Sequence, residues 1–418
     1  MAEIGKIAEK KRETNKDEAE ILEPSLSLYG TAASTFFSDS LLWYFLFPYA
    51  AVLQIGFAEM GFIRSARNLF TNVLQIGWGG LCEKFGKRVF VLAGYLLSSI
   101  TVVALLRFNS PLQILILVIL QAIFWSLAIP AWNAILGDYT KKSTRGKVMG
   151  RIMSVSRFSG VGATLLVALI AIWTPNELSP SSFTTPFLLS AAASIAAGVF
   201  VIFVRERKVK TLSLRMMDIF SPMQDKSFRV FLMVGGFFWF AMAFAWPLFP
   251  YVTVDIVHAT LWQIALISSV SGLIVSFTQP KFGSLADRIG RKPLIAASAA
   301  SFFLFPLFYA FAKNWLHLAA IHAILGLVMA SFGVSSTSYI LDSAPIGRRG
   351  TYTGAYSLVF GFASFLGSFA GGAFADYLSA ANGIEQVVFI GLTTSTIMRL
   401  ISSIGFMKIR ETLPKRES

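Results

Sequence analysis

GSLADRIGRKPL, residues 283–294, sets a charged, glycine-bearing turn between two long apolar runs, IALISSVSGLIVSFTQP and IAASAASFFLFPLFYAF. A second copy, GGLCEKFGKRVF, stands 204 residues earlier and aligns without a gap. Gly79 matches Gly283, Glu83 matches Asp287, Lys84 matches Arg288, Gly86 matches Gly290, and Lys87 with Arg88 match Arg291 with Lys292. Another pair keeps the same offset: GDYTKKSTRGKVMG at 137–150 and LDSAPIGRRGTYTG at 341–354. Here Asp138 matches Asp342, Arg145 matches Arg349 and Gly146 matches Gly350. Two motifs sharing one offset point to an internal duplication, and LFPY, at 46–49 and 248–251, is a third echo.

Of the 418 residues 55% are hydrophobic and 14% charged, against roughly a quarter charged in soluble domains. The chain therefore reads as a membrane protein. Twelve apolar runs, each about 20–27 residues, match the length a helix needs to cross hydrocarbon; they lie near 32–57, 60–82, 88–107, 111–136, 148–173, 183–204, 229–254, 261–286, 292–312, 315–341, 351–377 and 385–407. With both termini cytoplasmic, of the 36 Lys and Arg residues all but Arg64, Arg67, Arg107, Arg157, Lys313 and Arg399 fall in the tails, in the even-to-odd loops or at the bordering span ends. This is the positive-inside asymmetry. The net charge of +14 thus reports topology, with no nucleic-acid partner required. The single Cys82 excludes a disulfide framework and a Cys-based metal site. The first 30 residues hold no apolar signal-peptide core, so the first span is expected to do the targeting.

The chain divides into a cytoplasmic tail (1–31), a six-helix bundle (32–204), a charged cytoplasmic linker (205–228), a second six-helix bundle (229–407) and a tail (408–418). An even number of spans per half makes the repeats parallel, with a site expected at their interface near the midplane. The fold class expected is an all-α membrane protein of two parallel six-helix bundles around a central cavity.

On these motifs the chain resembles the major facilitator superfamily of secondary transporters. GSLADRIGRK is similar to that family's loop signature between helices two and three and between eight and nine, and the Asp-x6-Arg-Gly-x3-Gly pattern resembles its links from four to five and ten to eleven. The resemblance implies a gating role for the Gly79–Arg88 and Gly283–Arg291 segments. Glu83 or Asp287 would sit against the N-terminus of a helix of the opposite half, as a latch that breaks when the protein opens inward. Spacing alone supports a charged turn, with glycines allowing close approach. Asp138 with Arg145, and Asp342 with Arg349, read as structural ion pairs across a short loop. Helix four lacks the arginine, and helix five the Gly-Pro signature, typical of proton-driven drug antiporters in this family.

Ionisable residues inside spans are functional candidates because burying charge in hydrocarbon costs at least ~2.5–3.5 kcal/mol. Asp39 and Arg157 lie roughly 10 and 15 Å from the inner surface at about 1.5 Å per residue, and are expected to pair as the proton-coupling unit. Arg64 and Arg67 share a face and, with Arg399, are expected to snorkel to an interface. Helices one and seven carry rings, Trp43, Tyr44, Trp239 and Trp246 among them, which the resemblance places on a central cavity. Gln121 is a further lining candidate. Pro48, Pro130, Pro247, Pro250 and Pro306 are candidate bends.

The function expected is alternating access in the plasma membrane: proton-coupled efflux, as an antiporter, of a small lipophilic or aromatic compound. Proton-coupled uptake of an organic anion, motivated by more intramembrane arginine than acid, is the alternative, and a transporter-like receptor or scramblase is a third. No catalytic constellation, metal spacing or cofactor motif is present, so no enzyme activity and no cofactor are expected. The partners are a small molecule, protons and the bilayer, and the working unit is expected to be a monomer.

Overall fold

The computed structural model describes residues 22–139, 145–173, 177–206, 216–345 and 348–413. Twelve long helices follow one another. The first half holds α1 (Leu26–Val52), α2 (Phe57–Phe85), α3 (Lys87–Ala104), α4 (Pro111–Asp138), α5 (Arg145–Ala171) and α6 (Thr184–Ile202). The second holds α7 (Lys226–Phe244, continued by Phe249–Tyr251 and a π-turn at Val252–Ile256), α8 (Leu261–Ile289), α9 (Arg291–Ser301, continued by Leu304–Ala310), α10 (Trp315–Ser343), α11 (Arg349–Ser379) and α12 (Ile384–Ile404). Among the described residues ten of these are long and apolar enough to cross a membrane by composition. The two that fall short are α1 and α2, and the reason is chemical: they carry Asp39, Arg64 and Arg67.

Helix starts follow local rules. Ser110 and Gln113 form a reciprocal capping box behind Pro111 at the head of α4, and Asp225 accepts from the Ser227 and Phe228 amides at the head of α7, each satisfying amides that a helix leaves unpaired. Gly86 and Gly290, the last residues before α3 and α9, sit at φ +100° and +104°. A side chain there meets Cβ–carbonyl strain, so glycine is required.

The two halves meet along α2 with α11 and α5 with α8. Gly61 of α2 lies on the Ser368 carbonyl, and Gly372 of α11 on the Phe57 carbonyl; Gly367 and Gly371 lie on the Phe240 and Phe244 carbonyls of α7. Small residues spaced by four let backbones touch, which substitutes for a hydrophobic drive that lipid does not supply. Among the described residues, every hydrogen bond between the halves lies in the part of the spans far from the termini. Both Asp376 oxygens accept from the first turn of α2, at Phe57 N and Ala58 N, each 3.1 Å. Gln54 Nε2 donates to Asp255 Oδ1 at 3.3 Å, Tyr251 O–H to the Ile55 carbonyl, Ser368 Oγ to the Gly61 carbonyl at 3.1 Å, and Thr164 and Ser269 hydroxyls meet at 2.7 Å. At the opposite end Asp287 is 70% exposed. The far end is closed and the end bearing the termini is not latched by these bonds.

Candidate functional site

A cavity of about 280 Å³ lies where α1, α2, α7, α8, α9, α10 and α12 converge. A cavity of about 150 Å³ takes one benzene ring, so this one has room for roughly two rings. Trp43 and Tyr44 of α1 and Trp239 and Trp246 of the α7 region all line it. Gln121 does not: it is buried between α3 and α4, its Nε2 donating to Ser98 Oγ at 3.3 Å. It joins two helices within the first half, because its face of α4 packs on α3.

Two arginines expected at the membrane interface stand on the cavity wall instead. Arg64 Cζ lies 4.2 Å from the Phe47 ring centroid, 5.1 Å from Trp43 and 5.4 Å from Trp246. No carboxylate pairs with it among the described residues, and its Nε has no hydrogen-bond partner there. Ring faces attract the cation, so the side chain turns inward rather than outward. Arg399 is wholly buried. Its Nη1 donates to the Phe302 carbonyl at 3.1 Å and its Nη2 to the Met242 carbonyl at 2.9 Å. Neither carbonyl has its i+4 donor, and Phe302 keeps only a 3.4 Å bond from Phe305 N. Residue 306, which would serve Phe302, is a proline without N–H, and the Trp246 amide, which would serve Met242, turns back to Ala243 at 2.9 Å. With the break at Phe302–Phe303 and the turn after Phe244, the guanidinium fork stands in for two missing i+4 amides, which explains why it does not snorkel. Tyr309 O–H and His322 Nε2, 2.9 Å apart, complete the polar wall. No Asp or Glu lines this cavity.

Asp39 pairs with Arg67, Nη2 to Oδ1 at 2.6 Å, and not with Arg157. The helix rotation decides this: α2 presents Arg67, only 7% exposed, to α1. Trp43 stands between the two arginines, 4.7 Å from Arg67 and 5.1 Å from Arg64. One ring thus touches both the ion pair and the cavity cation. Arg157 makes no ion pair among the described residues and lines a second, smaller cavity.

The loop motifs hold charges, but with other partners. Lys87 Nζ bonds Asp138 at 2.7 and 2.9 Å, both side chains 8% exposed. Its counterpart Arg291 bonds Asp342 at 3.1 Å and Asp287 at 2.7 Å. The Asp of the second motif is therefore held by the base of the first, since the end of α4 lies beside the start of α3, and that of α10 beside α9. Arg349 and Gly350 are exposed, Arg349 making no ion pair among the described residues, so the expected Asp342–Arg349 pair is replaced. The side chains of Glu83, Arg145 and the glycines 79 and 146 lie outside the described residues. Asp287 faces its own Arg291 rather than a helix of the other half; Arg288 is exposed and Gly283 packs on Val334 of α10.

One repeated device was missed in the sequence. Arg88 N donates to Glu206 Oε2 at 2.9 Å, and Arg291 N and Lys292 N donate to Glu411, each at 3.0 Å. Each carboxylate caps the helix that starts after the positive-φ glycine. The signal was the Arg-Glu pair at 205–206 and again at 410–411. Burial alone would raise the Glu411 carboxyl, but backbone N–H groups of Leu413, Arg291, Lys292 and Thr412 outweigh it and hold the group below its ordinary 4.5.

The family profile described as Major Facilitator Superfamily matches residues 28–249 and 231–417. An uncharacterised MFS-type transporter of Methanocaldococcus jannaschii is 22% identical over 88% of this chain and 93% of its own length. A multidrug resistance protein, MdtH, of Aeromonas hydrophila is 23% identical over 84% and 87%. Among solved structures, the nucleoside transporter NupG superposes with a TM-score of 0.74 at 14% identity, covering 92% of this chain and 99% of that one. A bacterial homologue of the human lysosomal transporter Spinster gives 0.70 at 14%, covering 91% and 95%.

Proposed function

Because the chain belongs to the Major Facilitator Superfamily, and is thus a multi-pass membrane transporter, we propose that it carries small aromatic organic anions by alternating access, driven by protons. The observation that supports the cargo is Arg64: a cation without a carboxylate partner among the described residues, set among aromatic rings in a cavity whose wall has no acid. Cation–π contacts contribute about 0.5–2 kcal/mol each, whereas a buried ion carries a penalty of several kcal/mol. An anionic group on the substrate closes that gap, while its rings take the places between Trp43, Phe47 and Trp246.

Asp39 and Arg67 are the coupling pair on this reading. When Asp39 takes a proton, the charge that holds Arg67 at 2.6 Å is lost, and Trp43, which touches both Arg67 and Arg64, carries the change into the cavity. With cytoplasmic termini and a plasma-membrane location, the closed far end is extracellular and the cavity releases or loads on the inside. Efflux of uncharged lipophilic compounds is a second reading, favoured by the aromatic wall and by relatives named as multidrug resistance proteins.

Proteoliposomes under an imposed pH gradient test both readings. Aromatic carboxylates are expected to accumulate uphill, with Arg64→Gln lowering the rate by more than about tenfold, the scale for removing one partner of a buried charge contact. Asp39→Asn is expected to keep exchange while losing response to the gradient. Transport of neutral or cationic compounds that is indifferent to Arg64→Gln overturns the anion reading.

A further inference from the structure

We infer that a second anion-binding station, centred on Arg157 and separate from the central cavity, lies on the route towards the end bearing the termini. A cavity of about 140 Å³ opens between α1, α5 and α8, so both halves of the molecule contribute to it. Arg157 is the cation there. Around it stand the hydroxyls of Ser40, Tyr44, Thr164, Ser268 and Ser276, and no carboxylate lines the space. Thr164, Ser268 and Ser276 donate to the Val161, Ile264 and Gly272 carbonyls at 2.9, 2.9 and 2.8 Å; hydroxyls grouped about a guanidinium suit a compact monoanion, because an O–H can turn from such a carbonyl to the anion while the fork supplies charge. The volume corresponds to between four and five water molecules at about 30 Å³ each, enough for a carboxylate or a small inorganic anion with part of its hydration shell, and too small for the two rings the central cavity admits.

Position gives the station its meaning. Arg157 is 12 residues along α5 from the terminal end, and Arg64 is seven residues along α2 from the far end, so the two cations mark different depths. Tyr44 and Ser268 line both cavities and form the wall between them. The shared wall includes residues from each half, so relative movement of the halves widens or closes the passage from one station to the other. Two anion sources fit the chemistry: the carboxylate of the transported compound itself, or a free small anion such as chloride. The station stands on Arg157 and its cavity, and the second source does not depend on the cargo proposed above.

Thermal unfolding of the purified, detergent-solubilised protein tests it, titrated with sodium chloride, acetate or benzoate against gluconate at constant ionic strength. A saturable rise in melting temperature with chloride and acetate, kept in Arg64→Gln and weakened at least tenfold in midpoint concentration in Arg157→Gln, supports a free-anion station. A rise with benzoate alone that both variants weaken supports a station for the substrate carboxylate. No saturable anion effect, or one lost in Arg64→Gln and unchanged in Arg157→Gln, overturns the proposal. Should Arg157→Gln fail to fold, Arg157→Cys treated with a cationic or an anionic methanethiosulfonate replaces it: the cationic reagent is expected to restore binding and the anionic one to leave it absent, and equal behaviour of the two overturns the station. Anion binding at Arg157 without transport of aromatic anions would sink the cargo reading and leave the station in place.

Discussion

Arg399 shows how far one side chain is decided by residues remote in sequence. Its position in span twelve was legible, but its partners were not: the Phe302 carbonyl is freed by Pro306 and the Met242 carbonyl by the turn ahead of Pro247. Arg399→Ala leaves the Met242 carbonyl without a donor and the Phe302 carbonyl with only the 3.4 Å bond from Phe305 N, and is expected to destabilise by about 2 kcal/mol, at 1–3 kcal/mol per unsatisfied group, read as a fall in melting temperature in detergent. Arg399→Lys reaches one carbonyl and is expected to lose roughly half as much. The same limit applies at Asp39, which stood out as an acid in a span. Which arginine it meets depends on helix rotation, and depth alone favoured Arg157 over the observed Arg67.

At the scale of an element, the glycines before α3 and α9 were legible because a repeated motif marks a backbone demand. Gly86→Ala and Gly290→Ala both place a side chain at positive φ, at a cost of about 1–2 kcal/mol. Gly290→Ala is expected to lower the melting temperature further, since its Cβ would fall on the Glu411 carboxylate, whereas at Gly86 the nearest Glu206 oxygen is 3.5 Å away. Glu411 adds a pH signature. Its folded value is lowered, so its contribution is fully present above the ordinary value of 4.5 and disappears as pH falls through the lowered one. The melting-temperature gap between the native protein and Glu411→Gln is therefore expected to be constant above 4.5 and to close as pH falls through the lowered value; a gap that widens in acid would contradict the cap. The carboxylate caps themselves were hidden, because Arg-Glu after a span reads as an ordinary polar boundary until the fold returns it to the glycine turn.

For the whole molecule, the lengths of the apolar runs disclosed twelve spans and the shared motif offset a duplication. Composition alone leaves α1 and α2 below the threshold for a membrane helix, since the pair expected to couple transport makes them polar. Which end is closed was not legible, because it depends on cross-half contacts such as Asp376 on the α2 amides. Asp376→Asn keeps one carbonyl oxygen for those amides and loses the charge that complements the helix start. It is expected to shift the protein towards opening at the far end, seen as faster labelling of a cysteine placed at the buried Ser368. Gln54→Cys paired with Asp255→Cys is expected, once oxidised, to abolish transport and to regain it on reduction. Labelling unchanged by Asp376→Asn would remove that carboxylate from the gate.

The capping carboxylates also bear on the order in which the chain is made. Glu206 follows α6 directly, so the first half acquires the cap of its own α3 before any of the second half is synthesised. The second half waits for Glu411 to close α9, 120 residues after Arg291. Domains generally form in the order they leave the ribosome, and here each bundle carries its own completion signal, so a first half released early is expected to hold its charged turn while a second half cut before Glu411 would not.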